Sequence, residues 1–136
     1  MLSEKARQAM IAVHPISNRL IYARFQGHGF NLSVIQVYAP TTDSADSVID
    51  EFYGKLQQQL EEIDKNDVLL IMGDWNAQIG IDHAAWCDVI GHHGFGNVNE
   101  RDERLLKFWC SNQLCITNRY FQHKACHKWT WSHPNG

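Results

Sequence analysis

Residues 68–72 read Val-Leu-Leu-Ile-Met, five apolar positions without a break, and Gly73, Asp74, Trp75 and Asn76 follow at once. Alternation of apolar and polar residues marks a strand wetted on one face, whereas a short unbroken apolar run marks a strand covered on both. The run therefore predicts a central strand of an α/β fold. Residues upstream agree. Ile49, Phe52, Tyr53, Leu56, Leu60 and Ile63 repeat at the spacing of one helical face, predicting an amphipathic helix over 47–64. Lys65, Asn66 and Asp67 end it. Before the helix, residues 31–39 alternate. Leu32, Val34, Gln36 and Tyr38 share one face, and Ser33, Ile35 and Val37 share the other. Pro40 closes that strand, and a polar loop follows over 41–47.

The remaining segments are shorter. Ser3 is placed to cap a helix over residues 3–10. Pro15 and Asn18 mark a turn. Leu20, Tyr22 and Phe25 lie near period two within residues 19–26, and Gly27-His28-Gly29 joins that strand to the next as a hairpin. Residues 80–100 show little periodicity and read as a long loop holding His92 and His93. A helix over 100–112 and short strands over 114–118 and 128–132 complete the chain, which ends on the turn signal Pro134-Asn135-Gly136.

Hydrophobic residues make up 44% and charged residues 20% of the 136, a balance that supports a packed core and excludes a disordered chain. The length allows one domain. The longest apolar run is far too short to span a bilayer, so no membrane role is expected. Net charge is −3. Arg119, Lys124 and Lys128 give residues 119–136 a charge of +3, which leaves −6 on the rest. That cationic end, with Tyr120, Phe121 and Trp129, reads as a solvated face, with nucleic-acid contact as the alternative. Met1 is followed by Leu-Ser-Glu-Lys and not by an apolar signal segment. Cys87, Cys110, Cys115 and Cys126 are therefore read as free thiols in a reducing, intracellular setting. No Cys-X2-Cys pair is present, so surface histidines and buried cysteines are favoured over a zinc site.

The chemistry gathers at the end of the 68–72 strand. Asp74 is able to accept a proton from an attacking water, and Asn76 to donate to a phosphate oxygen or orient that water. Asp is also a hard oxygen ligand suited to Mg2+. Two residues apart, the pair would point to one side if strand geometry persisted. In open α/β folds ligands gather at the carboxyl ends of strands. Asp and Asn beside Gly are equally plain turn chemistry.

Five segments in order carry a resemblance. They are residues 35–41 (Ile-Gln-Val-Tyr-Ala-Pro-Thr), 50–53 (Asp-Glu-Phe-Tyr), 71–80 (Ile-Met-Gly-Asp-Trp-Asn-Ala-Gln-Ile-Gly), 93–101 (His-Gly-Phe-Gly-Asn-Val-Asn-Glu-Arg) and 128–132 (Lys-Trp-Thr-Trp-Ser). Together they resemble the endonuclease/exonuclease/phosphatase superfamily. They look most like the endonuclease domains of LINE-type retrotransposons and the related craniofacial development protein 2-like sequences. The resemblance implies a DNase I-like, four-layer α/β sandwich of two mixed sheets flanked by helices. It implies Mg2+ as cofactor, DNA as partner, and an intracellular, nuclear setting. It makes Asp74 the residue that activates water, Asn76 and Tyr38 contacts to the scissile phosphate, and Thr130 a residue lining the site. Trp75 stands where Phe or Leu is more usual, and packing is its expected role.

Such domains open with a site Asn and a metal-binding Glu and close with an Asp and a Ser-Asp-His ending. Nothing before Tyr38 fits the first pair, and Ser132-His133-Pro134 lacks the intervening Asp. Residues 1–136 are thus expected to form a single incomplete domain, without its first and last strands. With one carboxylate and neutral oxygens, the chain is expected to bind Mg2+ poorly. A binding module without catalysis is the alternative function, and a lipid or nucleotide phosphatase is a further one.

Overall fold

The structure, a computed structural model, describes residues 2–41, 43–77, 86, 89–91, 93 and 100–122. Thr130 and the predicted strand at 128–132 lie outside the described residues, as do His92, Cys87, Lys124, Cys126 and Lys128. The backbone gathers into two compact units, Met1–Asn76 and Ala77–Gly136.

The first unit runs α1 (Glu4–Ala9), β1 (Met10–Pro15), β2 (Leu20–Gln26), β3 (Asn31–Tyr38), α2 (Asp46–Glu62) and β4 (Val68–Asp74). The strands form one sheet in the order β1-β2-β3-β4. β1, β2 and β3 are antiparallel neighbours, and β4 lies parallel to β3. Parallel neighbours need a crossover of a dozen or more residues, which the 17 residues of α2 supply. The architecture is α/β, a four-stranded mixed sheet with helices, in keeping with part of a DNase I-like sandwich.

One face of the sheet is covered. Leu20, Tyr22, Ser33, Ile35 and Val37 are buried there, and α2 buries Ile49, Phe52 and Leu56. Trp75, just beyond β4, meets the Phe52 ring edge-on at 6.3 Å, which fulfils its expected packing role. A polar network fixes the far end of this face. Arg24 donates to both oxygens of Asp67, from Nε at 2.7 Å and Nη2 at 2.8 Å. Ser33 Oγ donates to Asp67 at 2.7 Å and lies 3.0 Å from the Tyr22 hydroxyl. These bonds hold the Asp67 carboxyl below the ordinary carboxylate range, the Arg24 bond most of all.

No described element of this unit covers the opposite face. Val13, Ile21, Val68, Leu70 and Met72 are exposed along it. The expectation that residues 68–72 are central and covered on both faces is thereby corrected. β4 is an outer strand among the described residues, and its burial alternates. An unbroken apolar run reports that a strand suits two covers, not that both are present. β1 was read only as a helix end and a turn. It is a bulged edge strand, with Pro15 at its end where no ladder donor is needed.

In the second unit α3 (Glu100–Ser111) buries Leu105, Leu106 and Trp109. The chain leaves the helix through Gln113 at φ 55, and Leu114 N–H bonds back to Trp109 O at 2.9 Å. The strand expected at 114–118 is not formed. Ile116 makes one parallel bridge to Ile90, and the chain then tightens into a 3-10 turn over Thr117–Arg119. Arg119, expected at a solvated cationic face, is 7% exposed and donates from Nε to His93 O at 3.2 Å. Gly91 sits against that segment so closely that a Cβ would fall 2.7 Å from Tyr120 N. Cys110 and Cys115 are free thiols, as expected, but exposed and not buried.

Candidate active site

Parallel pairing brings the ends of β3 and β4 side by side, because both strands run the same way and stop together. The register pairs Val37 with Gly73 and Tyr38 with Asp74. Paired residues share a face, so the Tyr38 phenol and the Asp74 carboxylate rise from the same, open face. Tyr38 is 54% exposed, and Asp74 is exposed as well. Beyond the last pair, Ala39 N–H donates to Asp74 O at 2.8 Å, which ties the two strand ends together.

This close approach depends on Gly73. Its φ of 136° lies where side chains are rarely tolerated, and a Cβ there would overlap the Val37 carbonyl. Asn76 does not continue the strand. Its φ is 45°, and its N–H donates to Asp74 Oδ1 at 2.9 Å, an Asx turn. The turn chemistry foreseen for this segment is therefore present. Asp74 and Asn76 are brought together by that local bond and not by strand alternation. Asn76 Nδ2 also donates to Ala39 O at 2.7 Å, so the amide is clamped across to the β3 end. An amide nitrogen carries two hydrogens and the amide oxygen two lone pairs. Among the described residues no partner takes the second N–H or Oδ1, which lie beside Asp74 Oδ2.

Arg19 is a residue that reading the sequence did not single out. It lies one position before β2, and Tyr38 N–H donates to its carbonyl at 2.9 Å, which extends the β2–β3 ladder by one pair. Its guanidinium stands 5.6 Å from the centre of the Tyr38 ring. Nη1 reaches Tyr38 O at 3.3 Å and Ala39 O at 3.5 Å. The signal in the sequence was only that Arg19 borders the β2 alternation, and the register was needed to find its neighbours.

The strand end thus brings Tyr38, Asp74 and Asn76 together, while Thr130 falls outside the described residues. One carboxylate, a phenol and an amide suit a phosphate and a water. They do not by themselves suit Mg2+, which needs more hard anionic oxygen. Among the described residues no three His, Cys, Asp or Glu side chains converge to hold a metal. No helix among them is long and apolar enough to cross a membrane.

No protein-family model matches the chain. Craniofacial development protein 2 from Bos taurus is 41% identical over 136 residues, all of this chain and 23% of the relative. The protein of the same name from Tragulus javanicus is 39% identical over the same span, again 23% of its length. The chain spans about a quarter of the length of these curated relatives. From end to end, the chain is a homologue of one stretch of the craniofacial development protein 2 sequences.

Proposed function

We propose that the chain carries the water-activating and phosphate-holding part of a phosphodiester hydrolase domain, an endonuclease of retrotransposon origin. The observation that carries this reading is the paired strand end, where the register sets Tyr38 beside Asp74 and Asn76 is clamped between both strands. In this reading Asp74 Oδ2 takes the proton of the attacking water, and the free Asn76 N–H and the Tyr38 hydroxyl donate to phosphate oxygens. The resemblance of five ordered segments to LINE-type endonucleases supports the same assignment. Mg2+ is the cofactor of such domains, and Asp74 would offer it a hard oxygen ligand.

A second reading has its own support. A phenol and an amide beside one carboxylate also suit a module that binds phosphodiester without cutting it. Plasmid nicking in Mg2+ and duplex binding without it separate the two. The expected result for the purified chain is negligible nicking, with DNA binding that weakens in Tyr38→Ala and Asn76→Ala. Robust Mg2+-dependent nicking, abolished in Asp74→Ala, would show that the chain completes a catalytic site itself. Absence of DNA binding would remove both readings.

A further inference from the structure

Arg19, Tyr38 and Asp74 stand in one row across three adjacent strands. The Tyr38–Arg19 backbone bond continues the antiparallel ladder one pair beyond Leu20 and Val37, and the parallel register sets Tyr38 opposite Asp74. Partners in a ladder share a face, so a guanidinium, a phenol and a carboxylate follow one another on the open face of the sheet. At about 4.8 Å between strands, the backbone row is roughly 10 Å long. A nucleic-acid strand carries one charge about every 3.4 Å along its axis, so such a row spans more than one phosphate.

The state of Arg19 fits a ligand contact. Arg7 pairs with Glu4, and Arg24 pairs with Asp64 and Asp67. Arg19 pairs with no carboxylate among the described residues. Guanidinium has five N–H donors in a planar fork. Among the described residues Nη1 makes two long contacts, to the Tyr38 and Ala39 carbonyls. Those contacts and the Tyr38 ring hold the group in place. Ala39 O is also the acceptor for Asn76 Nδ2, so Arg19 and Asn76 share one anchoring carbonyl.

We propose that Arg19 binds a second phosphate, next to the one held by Tyr38 and Asn76, so that the site takes a polynucleotide strand in preference to an isolated phosphoryl group. This rests on the phosphodiester reading above. The test is fluorescence anisotropy of the full chain with a short labelled DNA duplex over a series of salt concentrations. Arg19→Gln keeps a hydrogen-bonding side chain but removes the charge. It is expected to lower the slope of log K against log salt by about 1 and to weaken binding several-fold. Arg19→Lys is expected to keep the wild-type slope. Inorganic phosphate should compete equally poorly with duplex on wild type and Arg19→Gln. Thermal unfolding followed by circular dichroism checks that both variants are folded. A wild-type slope in Arg19→Gln would overturn the proposal and leave the phosphodiester reading standing, provided Tyr38→Ala and Asn76→Ala still weaken binding. A slope lowered equally in Arg19→Lys would also overturn it, since charge alone would then not explain the effect. A wild-type chain that binds no duplex would overturn both.

Discussion

Replacing Gly73 by Ala adds one methyl group at the point where β4 comes closest to β3. The new Cβ would overlap Val37 O and lie 2.8 Å from Val37 C and 2.9 Å from Gln36 Nε2. The amide could swing away, but the Val37 backbone cannot, because Val37 is 1% exposed and held in the ladder on both sides. The φ of 136° adds a strain of about 1–3 kcal/mol for any residue with a side chain. Relief requires the β4 end to peel away. That would break the Ala39–Asp74 and Asn76–Ala39 hydrogen bonds, each worth about 1 kcal/mol. Peeling and strain are alternatives in part, so the expected loss is about 3 kcal/mol, a large share of a stability near 5–15 kcal/mol. The control is Gly54→Ala in the middle of α2, where a Cβ meets nothing within 4 Å. There the same chemical change should stabilise by about 0.5–1 kcal/mol, since Ala suits a helix better than Gly. Urea unfolding of both variants, with unchanged m, measures the difference. Duplex binding by Gly73→Ala should fall to the level of Asn76→Ala. If Gly73→Ala were within 1 kcal/mol of wild type, the close approach and the site geometry resting on it would be wrong.

Other expectations concern the core and the polar network beside it. The Asp67 carboxyl is held below its ordinary range, first by the Arg24 hydrogen bond. Its stabilisation is therefore complete above the unfolded value of about 3.9 and is lost as pH falls through the lower folded value. Melting temperature against pH should drop below about pH 4 more steeply for wild type than for Asp67→Asn; parallel curves would refute the assignment. Leu56 is fully buried, so Leu56→Ala should cost about 2–5 kcal/mol in urea unfolding, and a loss under 1 would mean that α2 does not cover the core. Gln113 holds φ 55 at the end of α3, and Gln113→Gly should stabilise by up to about 1 kcal/mol, read from the same assay.

Much of the first unit was legible because each element had a redundant signal. The period of Ile49, Phe52 and Leu56 predicted a helix over 47–64, and α2 spans Asp46–Glu62. The alternation over 31–39 separated Ser33, Ile35 and Val37 from Tyr38 correctly, and the first three are the buried set. β1 was missed because an exposed, bulged edge strand gives no clean alternation: its residues Ile11, Val13 and Pro15 face no core. The second unit was read less well. Its residues 114–118 hold the apolar pattern of a strand, but one bridge to Ile90 cannot outweigh the turn that closes at Thr117. Arg119 shows the limit of reading charge locally. Its guanidinium is buried against a carbonyl that lies 26 residues away in sequence.

The site divides along the same line. That Asp74, Asn76 and Tyr38 would lie together was legible because motif and strand end coincide, and the structure sets the three side chains at one strand end. How they meet was not legible. Strand alternation would have aligned Asp74 and Asn76 without fixing either one. The Asx turn bends the chain, uses one carboxylate oxygen and carries the amide back to Ala39. That clamp is also what makes the turn reading and the phosphate reading compatible, since the bonds that shape the turn hold two acceptors and a donor in fixed directions. Arg19 was invisible for a different reason: its relation to Tyr38 is a register between strands, 19 positions apart in sequence, and a register follows from side chains on both faces at once. A cation found only through register makes electrostatics the sharpest probe of this surface. Losing Arg19 should change how binding depends on salt as well as its strength, whereas losing Asn76 should change its strength alone.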